Sequence, residues 1–247
     1  MTLLQARTTK IVLSGALFLF GLLFLAPSDF ANVTPIHVNN PSFETLPSGG
    51  LTDTCPGHNC EFSRGDIPGW TVPPGSIDTG QLRPSTSGMG HLFETFAPHN
   101  GEVSAFSNGP TISQEVGPTV AEGVPYTLTV DLGRRNDTPF EASADLLLSG
   151  NGLSPVTILA TGKTPVHGHW STFTATFVGD STTVGDNITI QLKSGGVQGN
   201  FDSVTLTTVP EPGTLLLFGS GLLLFGIIAY RNELRAKAGN VGVIDMA

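Results

Sequence analysis

Residues 126–132 read Tyr-Thr-Leu-Thr-Val-Asp-Leu, and this stretch decides the fold. Its four apolar side chains stand at every second position and alternate with Thr127, Thr129 and Asp131. Successive side chains of a β-strand point to opposite faces, so this period of two places the apolar ones together on one face. The stretch predicts a sheet strand with one buried face.

The same alternation recurs in three later stretches of the chain. Apolar residues alternate with threonines at 172–177 and with polar residues at 188–192, and a last strand-like run covers 201–206. Asn151 and Gly152 favour a hairpin between two earlier strands, because both residue types tolerate positive φ. The 31 glycines, the 18 prolines and a charged fraction of only 13% also suit a β-rich domain with many turns. We predict one all-β domain, a β-sandwich or jelly roll, over residues 32–208.

The N-terminal segment has the layout of a signal peptide. Arg7 and Lys10 precede an uncharged apolar run at 11–26. Small residues around Ala26 and Ser28 suit a cleavage site, so we predict a signal peptide over 1–28 and export across the inner membrane. The apolar run is slightly longer than a usual signal-peptide core, and an uncleaved anchor is therefore the alternative.

The C-terminal segment predicts a transmembrane helix at 214–230. This uncharged run holds 17 residues, and a helix needs about 17 to 25 to cross a bilayer core. Arg231 begins a basic flank that is expected to stay cytoplasmic. The expected organisation is a segment at 209–237 that contains the helix, followed by a short cytoplasmic tail at 238–247.

Charge and cysteine content narrow the classes of partner. Between the two terminal segments the chain has six Lys/Arg and sixteen Asp/Glu, a net charge of −10, which disfavours nucleic acid as a partner. Cys55 and Cys60 are the two cysteines, and in an oxidising compartment they predict one disulfide. A metal site formed by Cys55, His58 and Cys60 is the alternative, but it lacks a second ligand pair of zinc-type spacing.

The sequence contains no recognisable catalytic motif. It has no Gly-x-Ser-x-Gly, no His-Glu-x-x-His and no phosphate-binding glycine loop, so we predict a non-enzymatic protein without catalytic residues. His167 and His169 would point to one face of a strand as a metal pair, or they are exposed turn residues. A secreted glycan hydrolase or lyase is the enzymatic alternative, and only the loop histidines and carboxylates favour it.

Two tryptophans are the candidate ligand residues. Trp70 and Trp170 could each stack on a sugar ring, since an indole offers a flat apolar face. Trp70 precedes a strand-like alternation, so a core position is its alternative. The irregular segment at 83–101 is the candidate binding loop, and a glycan or exopolysaccharide is the expected ligand.

Several short motifs resemble the galactose-binding-like jelly roll of carbohydrate-binding modules. They lie in order along residues 36–207, beginning with Asn-Pro-Ser-Phe-Glu at 40–44 and ending with Asn-Phe-Asp-Ser-Val at 200–204. The resemblance implies a structural calcium held by Glu44 and Asp202, and Ca²⁺ does prefer carboxylate and carbonyl oxygens. The alternative is a solvated Glu44 and an Asp202 that accepts hydrogen bonds from backbone N–H groups.

The C-terminal segment resembles the PEP-CTERM sorting signal of exopolysaccharide-producing bacteria. The resemblance rests on Val-Pro-Glu-Pro-Gly-Thr at 209–214, the apolar run and the basic flank with Arg231. It implies that an exosortase recognises Pro210, Glu211 and Pro212, removes the helix and releases a cell-surface or extracellular-matrix protein. A plain single-pass membrane protein is the alternative.

Overall fold

The computed structural model describes residues 33–96, 101–209 and 214–239, and it leaves out the side chains of 214–219 and 235–239. Within these ranges there are thirteen strands and one helix. The predicted signal peptide, the proposed sorting residues Pro210, Glu211 and Pro212, and part of the 83–101 loop lie outside the described residues. In chain order the elements are β1 (Thr34–Ile36), β2 (Asp53–Thr54), β3 (Glu61–Phe62), β4 (Thr79–Arg83), β5 (Ser104–Ser107), β6 (Ile112–Val116), β7 (Pro125–Gly133), β8 (Ala142–Ser149), β9 (Val156–Leu159), β10 (Thr161–Gly162), β11 (Trp170–Val178), β12 (Asn187–Ser194), β13 (Gly199–Thr208) and α1 (Thr214–Gly239).

The described strands form two sheets, which confirms the predicted all-β sandwich. The larger sheet has nine strands in the order β10-β11-β7-β13-β5-β4-β3-β2, with β1 paired to β13, and the smaller has the order β6-β12-β8-β9. Residues 33–210 form a compact unit that holds both sheets. All the strand pairs are antiparallel.

The core lies between the two sheets, and the apolar face of the stretch at 126–132 is buried in it, as predicted. Leu128, Val130 and Leu132 are fully buried. They pack against the inward residues of β8 and β12, such as Leu146 and Ile190. Because side chains alternate along a strand, the polar residues at 127, 129 and 131 face away from this core, on what we call the outer face of the nine-stranded sheet.

Threonines line a large part of this outer face. On β11 and β7, Thr172 lies opposite Asp131, Thr174 opposite Thr129, and Thr176 opposite Thr127. The next strand, β13, continues these rows, with Asp202 opposite Asp131 and Thr205 opposite Thr129. The register therefore places a polar strip across three adjacent strands.

The helix α1 covers the predicted apolar segment and continues past position 230 through Arg231, which is exposed. Its interior contains no proline, so nothing interrupts its backbone hydrogen bonds before Gly239. In the part of the chain that the structure describes, no helix combines the length and apolar character needed to cross a membrane.

Candidate functional site

A β-bulge in β13 shapes the polar strip. The pairing between β13 and β7 shifts register between Asp202 and Thr205, and Ser203 has a φ of 53°. A bulge inserts an extra residue and redirects the neighbouring side chains. Asp202 consequently keeps its place opposite Asp131 on the outer face, while Val204 returns to the core.

The loop at 40–44 packs against this bulge. The N–H of Val204 donates to the carbonyl oxygen of Pro41 at 2.9 Å. Phe43 anchors the loop in the core, where it is fully buried, and its carbonyl oxygen accepts a hydrogen bond from the Gln81 side-chain amide. The loop thereby holds its last residue, Glu44, near the carboxylates of the sheet.

Glu44 is held by backbone N–H groups. Its Oε1 accepts hydrogen bonds from the N–H groups of Glu102 and Val103, each at 2.8 Å. Gly101 has a φ of +67°, and a side chain at this position would collide with the Glu44 carboxylate. The chain therefore approaches Glu44 closely because residue 101 is glycine.

Asp202 is buried without a cation beside it among the described residues. It is 2% exposed, and its Oδ1 accepts a hydrogen bond from the N–H of Ser203 at 2.6 Å. Burial raises the pKa of Asp202 to about 8, and the charges of Asp131 and Glu44 add to this rise, while the Ser203 hydrogen bond opposes it. The structure thus brings the two predicted calcium ligands, Glu44 and Asp202, within electrostatic reach of each other.

Asp131 is the acidic residue of this site that the sequence did not single out. It is 1% exposed, and its Oδ1 accepts a hydrogen bond from the Thr172 hydroxyl at 2.6 Å. The sequence did indicate its position, since Asp131 lies in the alternating stretch at 126–132, the most regular strand pattern in the chain. Its meaning depends on the pairing of β7 with β13, which strand alternation alone does not give.

A pocket opens on the outer face beside these carboxylates. It has a volume of about 260 Å³. Hydroxyl groups and one carboxylate line it, but apolar atoms, including those of Pro41 and Val204, form most of its surface; its residues are Pro41, Thr129, Asp131, Thr172, Ser203, Val204 and Thr205. The Thr129 and Thr205 hydroxyls bond to each other at 2.5 Å. We call this the threonine pocket.

The two tryptophans have different surroundings. Trp70 is 6% exposed, its ring centroid lies 5.3 Å from that of Phe43, and its Nε1 donates to the Asn40 carbonyl oxygen. This matches the core alternative. Trp170 is half-buried at the start of β11, on the same face as Thr172, and one side of its ring stacks on Phe93 at 4.8 Å. Trp170 therefore stands one row from the threonine pocket.

The loop histidines bond within the protein. His91 Nε2 lies 3.0 Å from Glu94 Oε1, and this hydrogen bond raises the pKa of His91. Arg134 donates to His167 Nε2 at 2.6 Å; a guanidinium has no acceptor, so His167 must accept there and donate from Nδ1 to the Asn136 carbonyl oxygen. His167 and His169 are exposed around a turn, as one of the two predicted alternatives states.

Cys55 and Cys60 are joined as a disulfide, so their sulfurs are not available as the thiolate ligands of the alternative metal site. The histidine between them, His58, instead contacts the Gly90 carbonyl oxygen through Nδ1 at 2.6 Å. Throughout residues 33–96, 101–209 and 214–239, no three His, Cys, Asp or Glu side chains are grouped so that they could hold one metal ion.

Comparisons with known proteins place the chain in a family. The HpiC1-like family, described as HpiC1 cyclase, matches residues 34–207. The PEP-CTERM protein-sorting motif matches residues 208–232 and confirms the predicted sorting signal. No curated protein matches the chain.

Similarity to solved structures is distant. TmCBM61 in complex with β-1,4-galactotriose has 17% sequence identity and a TM-score of 0.41, and the match covers 70% of this chain and 98% of that one. The CBM22-2 xylan-binding domain of Xyn10C from Paenibacillus barcinonensis has 14% identity and a TM-score of 0.41, with coverage of 58% and 93%. The family match spans the strands of both sheets. The chain therefore belongs to the HpiC1-like (HpiC1 cyclase) family, and its PEP-CTERM motif marks it as an exported, membrane-anchored precursor that is sorted to the cell surface.

Proposed function

We propose that this protein is a non-catalytic surface protein that binds a neutral glycan at the threonine pocket after exosortase processing. The observation that carries the proposal is the composition of that pocket. Its threonine hydroxyls can each donate and accept hydrogen bonds. Sugars present many hydroxyls of both kinds, so this lining is complementary to a glycan.

Trp170 and the charge of the module support the same choice of ligand. Trp170 stands one row from the pocket on the same face, where its exposed side can contact the apolar face of a neighbouring sugar ring. The module between the terminal segments has a net charge of −10, and the pocket itself contains a carboxylate but no cation. A neutral polymer avoids the repulsion that an anionic polymer would meet there.

The experiment is a binding titration of the full-length chain with neutral polysaccharides, in a zwitterionic detergent that carries no sugar headgroup. Thr172→Val removes one hydroxyl and keeps the side-chain shape. We expect it to weaken binding by about five- to tenfold, because one hydrogen bond between the ligand and the Thr172 hydroxyl, which itself bonds to the Asp131 carboxylate, is lost. Thr176→Val is the matched control, because Thr176 lies on the same strand and face but outside the pocket. A blank panel of polymers, or equal effects of the two variants, would contradict the proposal.

We also propose a structural calcium ion at Glu44 and Asp202. Two features support it: the donors are hard carboxylate oxygens, which Ca²⁺ prefers, and the described residues place two like charges but no cation near buried Asp202. Backbone carbonyl oxygens and water would complete the coordination, since Ca²⁺ takes six to eight oxygens. The ion would neutralise a carboxylate that is costly to bury alone.

A cyclase reaction is the second candidate, and two observations favour it. The chain belongs to a family described as HpiC1 cyclase. In addition, with a pKa of about 8, Asp202 keeps its proton at neutral pH and could donate it to a ligand in the neighbouring pocket. Turnover that disappears in Asp202→Asn, with glycan binding unchanged, would favour this candidate. The predicted hydrolase or lyase gains no comparable support, because its histidines bond within the protein.

A further inference from the structure

A second pocket lies on the outer face of the nine-stranded sheet, away from the threonine pocket. It has a volume of about 230 Å³, and it lies over β3, β4 and β5 rather than over β11, β7 and β13. Its apolar floor consists of Phe62, Leu82 and Phe106. The rings of Phe62 and Phe106 meet edge to face with centroids 6.2 Å apart. Leu82 and Phe106 are buried and Phe62 is partly exposed, so Phe62 supplies most of the accessible surface of this floor.

Two arginines line this pocket, and the protein uses them differently. Arg135 is engaged from all sides: it donates to Asp137 from Nε and Nη2 at 2.8 and 2.6 Å, and to Gln198 from Nη1 at 2.5 Å. These bonds fix Arg135 as part of the wall. Its charge is already balanced by Asp137, so it is not the group that selects a ligand.

Arg64 is exposed and only loosely paired. Its Nε lies 3.5 Å from Asp53, with both side chains about half exposed, and its Cζ lies 5.1 Å from the centroid of Phe62. The cation–π contact keeps the guanidinium plane over the pocket floor. Within the described residues, Arg64 has no hydrogen bond to a carboxylate, which leaves its Nη groups for a ligand.

Two side chains that can accept hydrogen bonds, unlike the arginines, complete the rim of the pocket. Asp78 and Asn108 also line the pocket, and the backbone N–H of Asn108 donates to the Asp78 carbonyl oxygen at 2.7 Å, which ties the two rim segments together. Their side chains offer an acceptor and a mixed donor–acceptor amide. A ligand here would contact an apolar floor, one loosely paired guanidinium and hydroxyl-binding groups.

We propose that this pocket binds a hexuronic acid residue of a glycan. The carboxylate would form a forked hydrogen-bonded pair with Arg64, the C–H face of the ring would rest against the exposed part of Phe62, and the ring hydroxyls would bond to Asp78 and Asn108. The inference extends the proposed glycan function by adding a charged-sugar site to the neutral one.

The first test compares three small probes by NMR titration of the full-length chain in the same sugar-free zwitterionic detergent. Methyl β-D-glucuronide should bind at least about tenfold more tightly than methyl β-D-glucoside, because the glucoside lacks the carboxylate. Benzoate, which has a carboxylate and a ring but no hydroxyls, should bind more weakly than the glucuronide. Equal binding of glucuronide and glucoside, or of glucuronide and benzoate, would overturn the proposal.

The second test uses variants. Arg64→Ala should lower glucuronide affinity to the level of the glucoside, and Arg64→Lys should retain part of it because the charge remains without the fork. Lys163→Ala is the control, since it removes the same positive charge at an exposed position. Lys163 directly follows β10, the strand at the far edge of the sheet. The thermal midpoint of each variant verifies folding, because Arg64→Ala also removes an exposed ion pair and a cation–π contact with Phe62. Unchanged glucuronide binding in Arg64→Ala would overturn the site.

The two proposals fail separately. Thr172→Val should reduce binding of neutral polymer and leave glucuronide binding unchanged, because Thr172 does not line the second pocket. If the unsubstituted protein binds glucuronide but no neutral polymer, the threonine-pocket proposal fails and the Arg64 site stands. A glucuronide response that Thr172→Val removes and Arg64→Ala does not would overturn the Arg64 site.

Discussion

Asp145 and Asp202 are two buried aspartates, one on each sheet, and the protein treats them differently. Asp145 on β8 is 3% exposed and accepts a hydrogen bond from Lys193 Nζ at 2.8 Å through Oδ2. Asp202 on β13 is 2% exposed, yet its electrostatic neighbours are the carboxylates of Asp131 and Glu44. Equal burial is thus combined with opposite surroundings.

This difference separates a structural acid from a candidate functional one. A buried charge is costly unless it is paired, and Lys193 supplies that pair for Asp145 from the adjacent strand β12. Asp202 has no such partner among the described residues, so its charge must be balanced by a proton or by a bound cation. Perturbed acids of this kind concentrate at functional sites, and the threonine pocket lies beside this one.

Removal of calcium should have the largest effect in this comparison. If an ion binds at Glu44 and Asp202, excess Ca²⁺ at about 100 times its Kd stabilises the folded state by about 2.7 kcal/mol. For a domain of this size that corresponds to a rise in the melting midpoint of about 5–10 °C relative to chelator. Differential scanning calorimetry of the full-length chain with calcium and with EDTA measures this shift.

Two aspartate variants control that measurement. Asp202→Asn should melt at the same temperature in calcium and in EDTA, because the substitution removes a ligand oxygen with its charge. Asp145→Asn should keep the full calcium response, since Asp145 is paired with Lys193 on the other sheet. Equal midpoints of the unsubstituted protein in calcium and EDTA would exclude the calcium site.

Loss of the Asp145 partner should have a smaller effect and no dependence on calcium. Lys193→Met keeps most of the aliphatic side chain but leaves buried Asp145 unpaired. Breaking a buried pair costs about 3–5 kcal/mol, and because Lys193 is 36% exposed we expect only about 1–2 kcal/mol. Urea denaturation gives the free energy of unfolding, with Lys163→Met as the exposed control.

A double variant sharpens this second prediction. Lys193→Met combined with Asp145→Leu removes both charges and should recover most of the lost stability, because an apolar pair of similar size often replaces a buried ion pair without cost. If the single Lys193→Met variant is as stable as Lys163→Met, the ion pair does not balance Asp145, and the contrast with Asp202 loses its basis.

The sequence predicts the sandwich well because its evidence is local. The alternation at 126–132 needs only the period of a strand, and β7 indeed buries Leu128, Val130 and Leu132. The positions of Trp70 and Trp170 needed tertiary information. Both precede strand-like residues, and the loops that supply Phe43 and Phe93 determine which indole is enclosed.

The candidate sites depend on strand pairing, which a single sequence does not give. Glu44 and Asp202 were predicted as site residues from the jelly-roll resemblance. Asp131 can be assigned to the same site only when the strand register, which places it opposite Asp202, is known. The bulge at Ser203 decides that register locally and has no glycine to signal it. The Arg64 pocket likewise combines β3, β4 and β5 with residues after β7 and before β13, so its parts are far apart in the chain.

The pH dependence of stability can distinguish the two ways of balancing Asp202. Burial, reinforced by Asp131 and Glu44, raises the pKa of Asp202 to about 8, against a usual value of 3.8. Between these pH values the folded state without metal binds more protons than the unfolded state, so the free energy of unfolding must fall as pH rises. The slope from one group is at most about 1.4 kcal/mol per pH unit. In EDTA, the difference between the unsubstituted protein and Asp202→Asn should show this fall and flatten above pH 8, and Asp145→Asn should retain it.

Saturating calcium should cancel or reverse this pH dependence. A calcium ion binds the ionised carboxylate and competes with the proton, so calcium stabilises the folded state more as pH rises. Denaturation curves in calcium from pH 5 to 9 would then show a flat or rising contribution from Asp202. A contribution that falls equally in calcium and in EDTA would mean that Asp202 carries a proton rather than a metal ion. In that case the calcium proposal fails, and Asp202 keeps the protonated state that the cyclase candidate requires.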